Sequence, residues 1–313
     1  MMKENLSEKK LVISATTSHR RKAALSQIPN IDLHSHPGPE RELDHADLSL
    51  VAEDKNEYLM NMLNQAREHL VEAESESISE EHKHELIKII APAILAIVQK
   101  IIEYDSNFQV IGGDTRTDIP NKRKNKIYFE SKGKPVNDEE VQKHFWQMNH
   151  IGESVYRVFS GSHIRTYNSE YNMPVDERHT QKIIVRLRPE LLKFFSTDKG
   201  FYHYKRAFEE FYQSETYQAQ NLPSAKMQDL SGGFSLPVFM KEKAIEAVSF
   251  DGAKEVHIND MSQDFLKKII YLVAVGYSPA ILDRIFPGAH QLTIDNWQWL
   301  KEVTKEILPD AKK

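Results

Sequence analysis

Apolar and polar positions alternate in distinct textures along this chain. Lys10-Leu-Val-Ile-Ser14 and the stretch from 28 to 34 have strand composition and flank a basic turn at His19-Arg-Arg-Lys22; Pro37, Gly38 and Pro39 then force a loop. Asp44 has the chemistry of an N-cap, and Leu48, Val51 and Ala52 follow at helical spacing, which puts Asp47 in a first helical turn. Leu59, Met62, Leu63, Ala66 and Leu70 continue as an amphipathic stripe that predicts a core-facing helix. Beyond an acidic stretch from Glu72 to Glu85, residues 86 to 102 are apolar almost all round, the pattern of a helix buried in a bundle. Pro92 lies inside it, where it is expected to remove a backbone hydrogen bond and kink the helix.

From about residue 107 the pattern changes. Phe108–Ile111, Lys126–Phe129, Ser154–Phe159 and Lys182–Leu187 predict strands; Tyr202 to Tyr217 predicts an aromatic-rich helix; Ser231-Gly-Gly233 predicts a turn. Residues 244 to 250 and 256 to 258 predict a last strand pair, and 262 to 308 return to helix. The expected fold class is α+β, with a helix-rich N-terminal half, mixed strands and helices from about residue 107, and a helical C-terminus. The expected segments are short strands and a helical region at 1–105, an α+β domain at 106–260 and a C-terminal helical segment at 261–313.

Composition narrows the chemistry. The chain has 313 residues, 28% charged and 40% apolar, with a net charge of −5, so bulk charge favours neither nucleic acid nor an anionic membrane as partner. A protein partner or protein substrate is the expectation. The basic run Asn121-Lys-Arg-Lys-Asn-Lys126 reads as a solvated loop beside a strand, because no aromatic platform or second basic strip accompanies it in sequence. With no cysteine, thiolate metal sites, disulfides and a cysteine nucleophile are excluded. No apolar leader or membrane-length stretch is present, which predicts a product cytoplasmic as synthesised, with signal-less export into a host cell left open. Twelve glycines and no Walker or dinucleotide fingerprint argue against a glycine-rich nucleotide cradle.

Candidate chemistry is densest at Ile31-Asp32-Leu33-His34-Ser35-His36-Pro37-Gly38, followed by Asp44, His45 and Asp47. Two histidines at alternate positions of a strand point to one side, and a carboxylate from the next element can close a zinc site. His82-Lys-His84 is a second His-X-His, but at helical spacing its rings diverge into solvent. His34-Ser-His36-Pro37, ten intervening residues and Asp47 resemble the zinc-binding segment of JAMM/JAB metallopeptidases. That resemblance covers about residues 28 to 52 and implies zinc on His34, His36 and Asp47, with hydrolysis of an amide or isopeptide-like bond. The chain departs from the family's motif in having Asp44 at the serine position and only Glu4 and Glu8 upstream for the general base.

The same segment is similar to the first barrel strand of adenosine-deaminase-like amidohydrolases, with His150, Glu153, His163 and Thr197-Asp198 echoing later ligand and catalytic positions. Arg157, Ser196-Thr197 and Glu246 fall in the order that resembles ADP-ribosyltransferases, which implies NAD gripped by the arginine and oxocarbenium-like charge stabilised by the glutamate. In composition the chain looks like bacterial effectors, and a third class, a non-catalytic helical adaptor, would use the 86–102 helix with Trp297 and Trp299. The expected function is a metal-dependent hydrolase.

Overall fold

The computed structural model describes residues 9–16, 18–36, 54–105, 107–132, 135, 137–168, 170, 173–213, 235–266, 268–269 and 276–296. Its strands form one mixed eight-stranded sheet in the order β2-β1-β3-β5-β6-β7-β8, with β4 also paired to β3. The strands are β1 (Lys10–Ser14), β2 (Ile31–Ser35), β3 (Phe108–Arg123), β4 (Lys126–Lys132), β5 (Val155–Tyr167), β6 (Val175–Leu187), β7 (Ile245–Phe250) and β8 (Val256–His257). The expectation of a helix-rich N-terminal half is thereby corrected. The fold is α+β, but the chain opens on strands, and β1 lies inside the sheet between two parallel neighbours, β2 and β3. Leu11, Val12 and Ile13 are fully buried, as a strand covered on both faces requires.

The chain divides into two compact units: one holds residues up to 114 with 162–179 and 279–290, the other 115–161, 180–278 and the C-terminal residues. In the first unit, helix α1 (His19–Ser26) connects β1 to β2, so the expected basic turn at 19–22 is instead a helix start. Helix α2 (Lys55–Ala73) begins where Asp54 Oδ1 accepts the Glu57 amide at 2.8 Å, an N-cap with an acidic first turn. Its Tyr58, Met62 and Ala66 join Leu11, Ile13, Phe108 and Ile94 in one core.

The acidic stretch is partly helical: α3 (Glu80–Glu85) is capped by Ser79, whose Oγ accepts the His82 amide at 3.2 Å. A π-helical turn at Leu86–Ile90 follows, then α4 (Ala91–Glu103). The helical run is continuous from Glu80 to Glu103, so Pro92 lies inside it as expected, and the π-helical turn directly before it is where the ladder adjusts to the missing amide hydrogen. The apolar run is not buried all round: Ile94, Ile97 and Ile101 are buried, whereas Ile87, Ile89 and Ile102 are 48, 58 and 63% exposed.

In the second unit the inward positions of β5 and β6 (Tyr156, Val158, Ile183, Val185) are buried beneath an aromatic cluster. That cluster comes from α5 (Asp138–Ile151), α6 (Pro189–Phe195), α7 (Asp198–Gln213) and α8 (Ser235–Lys241). Phe145 sits 5.0 Å from Tyr204 and 5.7 Å from Phe239, both edge-on. Two short helices, α9 (Pro279–Ile285) and α10 (Ala289–Asn296), close the described chain. Ser231-Gly-Gly233 and most of the predicted C-terminal helix lie outside the described residues. Among the described residues no helix is long and apolar enough to cross a membrane.

Candidate functional site

Strand β2 pairs with β1 so that Asp32 stands beside Leu11 and His34 beside Ile13. Leu11 and Ile13 face the core built by α2 and α4, so Asp32, His34 and His36, at alternate positions, lie on that same side. The chain leaves the strand with its direction fixed, because the His36 amide donates to Ser14 O at 2.8 Å.

Each histidine ring is anchored through Nε2. His34 Nε2 lies 3.1 Å from Asp32 Oδ1, and His36 Nε2 lies 3.1 Å from Gln65 Oε1 of α2. A carboxylate and an amide oxygen offer only lone pairs, so both Nε2 atoms act as donors, and in the neutral ring each Nδ1 keeps its lone pair. Asp32 is further bound by the Tyr104 hydroxyl at 3.1 Å and by Lys100 Nζ at 3.7 Å, both at the end of α4. Partial burial raises the Asp32 pKa, but the Tyr104 hydrogen bond, His34 and Lys100 more than offset it and hold the carboxyl below its ordinary range. Burial lowers the His36 pKa against the opposing Gln65 hydrogen bond, and the positive fields of His69 and Lys22 lower it further. Tyr104 is pushed up by burial and by its bond to Asp32. The result is a carboxylate that stays ionised beside one histidine and a second histidine that stays neutral.

Among the described residues no three His, Asp or Glu side chains gather closely enough to hold a metal ion. His34 and His36 share a face. Asp44, His45, Asp47, Glu4 and Glu8 lie outside the described residues. His82 is half-exposed, 3.6 Å from Glu72 and 3.8 Å from Glu85, and His84 is exposed.

Other sequence candidates are occupied in other ways. His150 stacks on Trp146 at 4.9 Å, and Glu153 accepts the Val155 amide. The Ser196 hydroxyl donates to Lys193 O and that of Thr197 to Phe194 O, so both close a helix end, while Asp198 accepts from Gln142. Arg157 lies over the Phe129 ring, and no ion pair or hydrogen bond joins it to Glu246 among the described residues. His163 is buried on β5, with Nε2 3.0 Å from Asp176 Oδ1; Asp176 also takes a bidentate hydrogen bond from Arg165.

Nothing in the sequence marks Tyr104 and Gln65 as site residues. They reach the site from 72 and 29 residues away, with no spacing signal to announce them. Asp32 was legible, since a strand places positions i and i+2 on one face. Compared with known proteins, the chain matches no protein-family model and no curated protein.

Proposed function

We propose that the chain is a metal-dependent hydrolase acting on an amide or isopeptide-like bond, with His34 and His36 as zinc ligands and Asp47 as the third. One observation carries this reading. Both histidines stand on one face at the carboxyl end of β2, each with Nε2–H held by a second group, so that in the neutral rings each Nδ1 presents a lone pair that no other described residue takes up. Metal-bound histidines are characteristically oriented in this way, by a carboxylate or carbonyl on the other ring nitrogen. A divalent ion would supply Lewis acidity to the substrate carbonyl and to water. Asp32 fixes the His34 ring, Tyr104 and Lys100 keep Asp32 ionised, and Gln65 fixes the His36 ring.

The test is a screen of the full chain against isopeptide-linked and amide substrates, before and after chelation and after zinc is restored. The expected result is cleavage that chelator abolishes, zinc restores, and His34→Ala removes while far-ultraviolet circular dichroism stays native. Cleavage that survives both chelation and His34→Ala would contradict the assignment.

A further inference from the structure

In the second unit the helices cover one face of the sheet, and the opposite face carries cations laid on aromatic rings. Arg157 of β5 and Phe129 of β4 stack with the guanidinium carbon 3.5 Å from the ring centroid. Two positions along β5, Phe159 has Arg116 of β3 at 4.7 Å and Lys182 of β6 at 6.0 Å. Strand alternation explains the placement: Tyr156 and Val158 point into the aromatic core, so Arg157 and Phe159 point away from it and are only half-buried. The basic run at 121–126 borders this face. It forms the β3–β4 hairpin, with Lys124 and Asn125 at φ 45° and 61° as its two turn residues and Arg123 paired with Lys126. Pro120 pairs with Phe129 and Lys122 with Ile127, which puts Lys122 on the same side as Phe129.

Charge and shape together select the partner. Arg116 is neutralised by Asp118 at 3.0 Å, but Arg157 and Lys182 make no ion pair among the described residues. The chain as a whole is negative, at −5, so this positive strip is local. An acidic protein segment would answer the charges but brings no planar group to lie on the open face of the stacked guanidinium. A duplex buries the faces of its own bases. Single-stranded nucleic acid presents both phosphates and unpaired planar bases, and a guanidinium lying flat on a ring keeps its second face for stacking and its edge for phosphate oxygens.

We propose that this sheet face binds single-stranded nucleic acid, with bases stacking against Phe159 and on the open face of the Arg157–Phe129 pair and phosphates met by Lys182 and Lys122. The aromatic platform that the linear sequence lacked beside its basic run is assembled by the pairing of β3, β4 and β5.

The experiment is fluorescence anisotropy of the full chain with a labelled oligouridylate of about 12 nucleotides, with the same sequence as duplex, and with heparin and polyglutamate as competitors, at several salt concentrations. Single strand is expected to bind at least about tenfold more tightly than duplex. Phe159→Ala and Arg157→Ala should each weaken binding about tenfold, and Phe159→Tyr should retain it. Lys182→Ala should lower the slope of log affinity against log salt by about 0.7. The His34→Ala, His36→Ala double variant should bind as the wild type does, which separates this surface from the proposed hydrolase site. No binding, equal affinity for duplex, displacement by polyglutamate as effective as by unlabelled oligouridylate, or unchanged affinity in both Phe159→Ala and Arg157→Ala would overturn the proposal.

Discussion

Burial and hydrogen bonding pull Asp32 in opposite directions, and the hydrogen bonds win. Its depressed pKa contributes stability above the ordinary carboxylate range, which is lost as pH falls through the lowered folded value. His36 has the same overall sign by a different route. Its folded pKa lies below the ordinary 6.5, so on acidification the unfolded chain takes up the proton first. Its contribution is complete above about 6.5 and declines as pH drops toward the folded value. A ring-proton titration by nuclear magnetic resonance should give a His36 midpoint below 6.5; a midpoint at or above that value contradicts the burial argument. Asp32→Asn leaves the His34 tautomer unfixed, because an amide both donates and accepts. Competitive chelator titration should show zinc affinity lowered about 10- to 100-fold in that variant, and unchanged affinity would remove Asp32 from the orienting role. The His-X-His pair and Asp32 were legible because strand geometry is local, whereas Tyr104 and Gln65 arrive by tertiary packing.

Local chemistry also sets the helix and hairpin geometry. Gly200 lies in the first turn of α7, where its amide donates to Thr197 Oγ1 at 3.2 Å. A Cβ at this position would meet Phe194 O at 1.9 Å, a backbone atom that cannot rotate away. Gly200→Ala should therefore cost about 2–3 kcal/mol or more in urea denaturation; a neutral result would show that the α6–α7 junction shifts freely. Lys124 holds a left-handed conformation that costs a side-chain-bearing residue about 1–2 kcal/mol. Replacing it with glycine should stabilise the hairpin by about 0.5–1 kcal/mol by the same assay, after glycine's own entropy is counted, and a loss of stability would contradict the turn geometry. The cores of β1 and β2 were readable as apolar runs. The length of β3 was not, since it runs through Gly112, Gly113 and Pro120, residues that normally break a strand. Helix α1 was missed because its start, His19-Arg-Arg-Lys22, carries no acidic residue and no side-chain cap.

Across the whole molecule, the sheet order decides where stability concentrates. β1 has parallel partners on both sides and no exposed residue from Leu11 to Ser14, whereas β8 is a two-residue strand at the far end of the order. Hydrogen exchange by mass spectrometry should therefore be slowest at 11–13 and fast at 256–257; the reverse ranking would contradict the sheet order. Sequence texture placed helices where long apolar stripes occur, yet it did not reveal that segments 97 residues apart, such as Leu11 and Phe108, pair in one parallel ladder. That pairing turns β2 and its histidines toward α2 and α4. The hydrolase reading depends on what those histidines hold, and elemental analysis of the untagged protein after dialysis against metal-free buffer tests it most directly. About one equivalent of zinc is expected, lost in the His34→Ala, His36→Ala double variant while circular dichroism remains native. Absence of metal together with no thermal stabilisation by added zinc, or the same zinc content in the double variant, would contradict it.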